Sequence, residues 1–308
     1  MLIRHLTFFV ALAREGHFAK AAKACNITQP TLSAALRKLE EDFGARLVVR
    51  GQHFEGLTPE GERVLAWGQQ IISDYESLKD DMTSVGHGLS GTLRLGVVPA
   101  AMPVVSFVTE GFRTVHPAAS VEILSMSSRQ IQSGLDSLEL HGGITYLENE
   151  PLERVFRLPL YRERYVVVAR RGRFPGNAPI DWRTIVECPL CLLGTDLQNR
   201  RILDSIARIH GVSLKPAVVS NSYLAICSHL RRGDWISVVP HTLPYVFGLA
   251  PELAAYEIAG CPPAQSLGVV TPNRRPLAKM TNALFDVVAR ADIAADIEAA
   301  RLHCTRPR

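Results

Sequence analysis

Residues 17–44 read HFAKAAKACNITQPTLSAALRKLEEDFG, and this stretch decides the fold of the N-terminal part. Two short helical patterns flank a four-residue turn, Cys25-Asn26-Ile27-Thr28. In the second pattern Leu32, Leu36, Leu39 and Phe43 recur at helical spacing, which predicts that they are buried. Thr28 is a good N-cap, and Pro30 is tolerated in the first turn. Gln29, Pro30, Thr31, Ser33, Ala34, Arg37 and Lys38 then face outward. Small, hydrogen-bonding and cationic side chains on one face suit a helix lying in the major groove of DNA. Gln29 and Ser33 can reach base edges, and Arg37 and Lys38 can reach phosphate. An ordinary amphipathic helix also has a polar face, so this segment alone leaves both readings open.

Working outward, Leu6, Phe9, Val10 and Ala13 form one face of a first helix ending at Gly16, and the second helix spans about 18–25. Residues 46–50 read as a strand, 51–56 as a turn, and Leu57 returns, which makes a two-stranded wing with Arg50 and His53 near its tip. Thr58 and Pro59 open another helix as N-cap and first position. Along it Val64, Ile71, Tyr75, Leu78, Met82 and Val85 follow heptad steps with one gap at Gly68. One narrow apolar seam on a helix of this length calls for a partner helix, most simply the same helix of a second copy; packing within the chain is the alternative. Residues 1–58 hold eight Lys/Arg against five Asp/Glu, and residues 59–82 two against six, so a boundary is placed at Thr58.

Net charge is +4, which permits nucleic-acid binding without demonstrating it. The 47% apolar and 21% charged content is ordinary for a globular protein. No apolar run approaches a bilayer-spanning length, and the N-terminus lacks a cleavage site, so a cytoplasmic protein is expected. Six cysteines (25, 188, 191, 227, 261, 304) are too scattered for a disulfide framework.

Gly86 to Gly91 reads as a hinge. Beyond it, short apolar runs alternate with helical patterns: strands near 92–98, 120–126, 143–146, 164–170, 190–193, 217–220, 235–239 and 267–271, with helices at 104–115, 129–138, 195–210, 222–232 and 277–291. This predicts an α/β body of buried, mostly parallel strands. Its length exceeds one typical unit, so two subdomains with a cleft are expected, about 91–163 plus 269–300 and about 164–268, with 164–170 and 265–271 crossing between them. The division is then 1–58, 59–88 and 89–308.

Several motifs have bland readings. Cys188-Pro-Leu-Cys191 has redox spacing but continues as an apolar strand rather than a helix N-terminus. Glu148 and Glu150 lie in a polar loop, not a catalytic pair. Arg162, Arg164, Arg170, Arg171 and Arg173 read as a solvated face or a subunit contact. A zinc site lacks ligands, and no nucleophile elbow, phosphate loop or dinucleotide fingerprint is present, so no metal, cofactor or catalytic residue is assigned.

The ordered series LxxFxxLAxEGxFxxAAxxxxITQPTLSxxLRKLEEDFGxxLxxR over 6–50, LTPEGERVL over 57–65 and LRRGDWISVVP over 230–240 resembles the LysR-type transcriptional regulators along nearly the whole chain. The resemblance implies a winged helix-turn-helix domain, a dimerising linker helix (Val64, Ile71, Tyr75, Leu78, Met82) and a regulatory domain shaped like a periplasmic binding protein. It implies a homotetramer, a dimer of dimers, on double-stranded promoter DNA, with RNA polymerase as a candidate partner and no membrane. DNA contacts carried over are Thr28, Gln29, Pro30, Thr31, Ser33, Ala34, Arg37, Lys38, Arg50 and His53. The chain departs from the pattern at His17 and Ala19, where the second helix is expected to lack its usual cap, and at Ala34, where relatives often have Arg.

Ligands of open α/β sheets lie at strand ends against helix N-termini. Four such places give Ala100, Ser127 and Ser128, Thr195, and Asn221, Ser222 and Tyr223 as candidate effector contacts, with Met102 and Tyr146 expected to narrow the cleft; the resemblance implies ligand contacts at Ala100, Ser128 and Tyr223. Hydroxyls beside free N–H groups suit a small carboxylate, formate or a short dicarboxylate; the alternative is that these residues only cap helices. The expected function is an effector-modulated, sequence-specific transcription factor that is not an enzyme. The alternatives are a sensor acting through protein contacts without DNA, or a redox-responsive regulator of the same family.

Overall fold

The computed structural model describes residues 2–50, 54–83, 89–148, 152–176, 178–244, 248–260, 265–273, 277–290, 292–293 and 295–297, without the side chains of 50, 73, 76, 77 and 80–83. His53, Glu150, Cys261, Cys304 and the hinge residues 84–88 lie outside the described residues, as do the side chains of Arg50 and Met82. The chain forms two compact units, Met1–Gly88 and Leu89–Arg308.

The first unit contains α1 (Leu2–Glu15), α2 (Phe18–Ala24), α3 (Gln29–Phe43), β1 (Val48–Arg50), β2 (Phe54–Leu57) and α4 (Pro59–Thr83). Leu6, Phe9 and Leu12 of α1 share a core with Ala21 and Ala22 of α2, and with Leu32, Leu36 and Leu39 of α3. Asn26, with φ 54°, makes the sharp turn between α2 and α3. Helix α2 is capped after all: the His17 ring Nδ1 accepts from the Ala19 amide at 3.2 Å, doing the work of the expected hydroxyl. Phe43 is 46% exposed rather than buried, because the last turn of α3 overhangs the core. Glu40 is buried in its place, and its carboxylate accepts from the Leu47 amide at 3.0 Å, tying α3 to the wing.

The wing leads into α4 through a close junction. The Thr58 hydroxyl donates to the Arg46 carbonyl at 2.6 Å and accepts from the Gly61 amide at 3.0 Å. A Cβ at Gly61 would overlap the Leu47 carbonyl. Val64, expected in the partner-seeking seam, packs with Leu65 and Ile72 against this unit's own core. The exposed stripe of α4 is instead Trp67, Ile71, Tyr75 and Leu78, at 71%, 38%, 42% and 56%. Trp67 fills the gap left in the heptad reading, because Gly68 faces Leu6.

The second unit has two lobes around one contiguous apolar core. The first lobe holds a five-stranded sheet of β3 (Gly91–Val97), β4 (Ala119–Ser125), β5 (Gly142–Tyr146), β6 (Val155–Glu163) and β12 (Gln265–Pro272), in the order β4-β3-β5-β12-β6. A 3₁₀ turn (Pro99–Val104), α5 (Val105–Val115), α6 (Ser128–Asp136) and α10 (Lys279–Arg290) pack on it. In the second lobe β7 (Tyr165–Arg170) lies between β10 (Ser237–Pro240) and β11 (Leu253–Tyr256). β8 (Cys191–Leu193) pairs with β9 (Val218–Ser220), and a Leu190–Ile236 bridge carries the ladder on toward β10. Helices α7 (Trp182–Val186), α8 (Gln198–Ile209) and α9 (Tyr223–Leu230) complete this lobe.

The sheets are mixed, not mostly parallel. β12 runs antiparallel to β5 and β6, and β7 antiparallel to β10 and β11. β7 follows a crossing from the other lobe, so it enters its sheet against the local direction, and β12 likewise runs against its neighbours. Strand β6 escaped the pattern reading because it is an edge strand whose apolar run is broken by Arg157, Pro159 and Arg162.

Gly61→Ala is expected to cost about 1–3 kcal/mol and lower the first unit's melting midpoint by several degrees in circular dichroism. An unchanged midpoint would mean that the wing–α4 junction is not the tight packing described.

Candidate nucleic-acid interface and ligand cleft

Burial of Leu32, Leu36 and Leu39 leaves the opposite side of α3 in solvent: Gln29, Pro30, Thr31, Ala34, Arg37 and Lys38 are exposed, and Ser33 is half-buried. Thr28 caps the helix, accepting from the Thr31 amide at 3.4 Å, and the two hydroxyls share a 2.8 Å hydrogen bond. Thr28 and Thr31 are therefore engaged with each other as well as outward-facing. Arg37 leans back on the Ser33 carbonyl at 3.4 Å. Lys38 sits 3.5 Å from Glu41 and 3.2 Å from Asp42, pairs exposed enough to exchange for a stronger partner. The backbone of Arg50 lies in β1 of the wing.

In the second unit a cavity of 450 Å³ opens between the ends of β3 and β4 and the start of α9. Met102, Asn221, Ser222 and Tyr223 line it, with Pro99, Ser125 and Leu243. None of its described lining residues is charged. The other expected contacts lie off this cavity. Ala100 is 1% exposed, within the core. Ser127 caps α6 in a reciprocal capping box with Gln130. Thr195 precedes α8, which begins three residues later than expected, and its carbonyl accepts from Arg201.

Ser128 and Tyr146 are drawn into bonds that tie the lobes together. The buried Ser128 hydroxyl donates to Gln198 Oε1 at 2.8 Å and accepts from Thr145 at 3.1 Å. Gln198 Nε2 donates to the Glu148 carbonyl at 2.9 Å. Tyr146 donates to Glu163 Oε1 at 2.7 Å and accepts from Asn199 Nδ2 at 3.1 Å, while Tyr223 donates to Asn199 Oδ1 at 3.1 Å. Gln198, Asn199 and Glu163 were missed in the sequence. The signal for Glu163 was the alternation Tyr161-Arg-Glu163-Arg-Tyr165, whose inward face is polar.

The four described cysteines, Cys25, Cys188, Cys191 and Cys227, are free thiols. Cys191 is buried in β8, and burial, helped by nearby Cys227, pushes its thiol up to about 11. Burial also raises Cys25 and Cys227. Few thiolates exist at neutral pH in such surroundings. The Cys188 thiol donates to the Thr184 carbonyl at 3.4 Å. The arginine run is dispersed: Arg171 bonds to the Pro251 and Leu253 carbonyls, Arg173 pairs with Asp234 at 3.7 Å, and Arg162, Arg164 and Arg170 are exposed. Among the described residues no helix is long and apolar enough to cross a membrane.

Residues 3–62 match the family model of the bacterial regulatory helix-turn-helix protein, lysR family, and residues 86–292 that of the LysR substrate binding domain. The DNA-binding transcriptional dual regulator OxyR of Escherichia coli K12 is 30% identical over 164 residues, 53% of each chain. The SDS degradation transcriptional activation protein of Pseudomonas sp. is 35% identical over 174 residues, 55% of this chain and 56% of that one. The chain thus spans about half the length of the curated relatives it matches. A full-length OxyR variant of Pseudomonas aeruginosa shares the fold at a TM-score of 0.72 and 23% identity, covering 96% of this chain and 97% of that one. CbnR in complex with its target DNA does so at 0.63 and 19%, covering 94% and 99%. With both units matched by their own family models, the chain belongs to the LysR family of bacterial transcriptional regulators.

Proposed function

We propose that the chain is a cytoplasmic, sequence-specific DNA-binding regulator without catalytic activity, modulated by a small molecule in the cleft. The observation that carries this is the outward face of α3 from Gln29 to Lys38, held in solvent by burial of Leu32, Leu36 and Leu39. Small side chains at Pro30, Ser33 and Ala34 let the helix approach a groove closely, and Arg37 and Lys38 meet phosphates. The solved CbnR–DNA complex, on the same fold, supports promoter DNA as the partner. The exposed stripe Trp67, Ile71, Tyr75 and Leu78 supports pairing of two copies through α4, which sets the spacing of two half-sites. A dimer of dimers and contact with RNA polymerase remain family-based proposals.

For the effector, Asn221 and the Ser125 and Ser222 hydroxyls support a ligand with hydrogen-bond acceptors, such as a carboxylate. The cavity's 450 Å³ falls in the range of about 300–1,000 Å³ usual for ligand pockets, which favours a short dicarboxylate over formate. A peroxide-responsive role, suggested by the OxyR relative, would have to rest on cysteines other than Cys191 and Cys227, whose thiols burial raises.

Ala34→Glu touches no core residue and should weaken specific binding to the duplex upstream of the chain's own gene by about tenfold or more in a gel shift. Arg37→Ala should reduce the salt slope by about one. Unchanged affinity in both variants would remove α3 from the interface. Ile71→Glu combined with Leu78→Glu should lower the sedimenting mass; an unaltered mass would place the subunit contact elsewhere. Calorimetric titration with succinate should show binding that Asn221→Ala weakens about tenfold while DNA affinity of the free protein is kept. Equal binding by the variant would count against this cavity as the effector site.

A further inference from the structure

Only Arg164 separates β6 of the first lobe from β7 of the second, so the chain passes between the lobes at Glu163. Along this crossover Tyr161, Glu163 and Tyr165 alternate inward, while Arg162 and Arg164 are exposed. Glu163 is fully buried, and side chains of both lobes converge on it. Tyr146, from β5 of the first lobe, donates to its Oε1 at 2.7 Å. Asn199 Nδ2, from α8 of the second lobe, donates to the Tyr146 oxygen at 3.1 Å, and Tyr223 of α9 donates to Asn199 Oδ1 at 3.1 Å. The Tyr165 hydroxyl, on β7, hydrogen-bonds to the same carboxyl group. These partners are neutral, and among the described residues no cation pairs with Glu163.

A carboxyl group taken out of water among neutral donors is held more easily with its proton than without it. Burial raises the Glu163 carboxyl to about 7, against the opposing hydrogen bonds of Tyr146, Tyr165 and Asn199. If the lobes part at this joint, water reaches Glu163 and returns it to the ordinary carboxylate range. The joined arrangement therefore binds this proton more tightly than a parted one. Below the ordinary carboxylate range both arrangements carry the proton, and the joined one has its full advantage. Between that range and about 7 only the joined arrangement still carries it, so each pH unit favours parting by up to about tenfold. At higher pH both are ionised, and the bias stops growing. We propose that Glu163 is a proton switch in the joint between the lobes: carrying its proton it holds them together, and ionised it favours their parting. Tyr223 also lines the cleft cavity, so the proton and a cavity ligand act on one hydrogen-bonded chain. The inference concerns the joint and stands whatever the cavity binds.

The titratable groups facing Glu163 are Tyr161 and Tyr165 on its own crossover, Tyr146 on β5 and Tyr223 on α9, all held well above the ordinary phenol range by burial. From α8 comes Asn199; Arg200 beside it is engaged by Asp204 and by the Leu193 and Leu214 carbonyls. Gln265 of β12 stands opposite Glu163 in the sheet. Cys227 lies near Tyr223, with its thiol raised by burial. The imidazole at this crossover is His241, whose ring centre is 6.3 Å from that of Tyr161 and whose Nδ1 accepts from the Arg164 amide at 3.1 Å. It is the rival group for a titration near neutrality, so the test separates the two.

The test is hydrogen exchange of the full chain, followed by mass spectrometry and corrected for the intrinsic pH dependence of amide exchange. Protection of peptides covering 158–166 and 197–202 should fall about tenfold per pH unit between about pH 5 and 6.5, while peptides covering β3 stay level. Glu163→Gln is neutral at every pH, so its protection should be high and level. It should also delete a protonated-carboxyl band from the infrared spectrum at about pH 6. Tyr146→Phe removes a donor to the ionised form, so the window should move up in pH. His241→Asn keeps an acceptor for the Arg164 amide and should leave the window in place. Level protection in the unaltered chain, a slope that survives in Glu163→Gln, no infrared band lost with that variant, a window that moves down in Tyr146→Phe, or a slope lost with His241 would each overturn the assignment. Should Glu163→Gln fail to fold, the slope of the unaltered chain and the Tyr146→Phe and His241→Asn variants decide it.

Discussion

Burial of Leu32, Leu36 and Leu39 against Leu6, Phe9 and Leu12 is the constraint on which the reading depends. Each fully buried leucine contributes about 1.5–3 kcal/mol, so rotating α3 about its axis would forfeit several of these at once. The helix has one stable orientation, and that orientation determines what it presents to solvent. The surrounding devices serve the same end. Asn26 turns the chain sharply, His17 and Thr28 cap the helices on either side, and the Glu40 carboxylate holds the wing through the Leu47 amide.

Where a side chain's role followed from one element's own periodicity, the sequence was enough to read it. Burial of Leu32, Leu36 and Leu39 on α3, the Thr58 cap and the α/β alternation all belong to this class, while Phe43 at the end of α3 does not. Roles that depend on what another element brings were hidden. Val64 and Trp67 sit three residues apart on α4, yet contact with α1 sends one inward and leaves the other exposed. Ser128 reads as a ligand hydroxyl beside a helix start, but Gln198, seventy residues away in sequence, occupies it. Strand direction was misjudged for the same reason, since β7 and β12 take their sense from long-range crossings. The departure at His17 misled because an imidazole nitrogen caps a helix as a hydroxyl does.

The regulatory unit joins its lobes with polar bonds as well as apolar ones. Gln198 and Asn199, at the first two positions of α8, reach across to Ser128, Glu148 and Tyr146. A buried, hydrogen-bonded polar link is costly to break partway, so it favours discrete arrangements of the lobes over a continuum. Tyr223 belongs both to the cavity wall and to this network, so occupancy of the cavity has a direct route to the lobe junction. A ligand shifts such an equilibrium only by the difference in its affinity for the two arrangements, which is why the link and the cavity sharing a residue matters.

The most direct measurement is photocrosslinking from position 34, with a photoreactive side chain in place of Ala34 in the full-length protein bound to the duplex upstream of its gene. The account predicts crosslinks to bases within two symmetry-related half-sites, because that position faces outward from the middle of the recognition surface. Crosslinks confined to protein, with the duplex still bound, would contradict it.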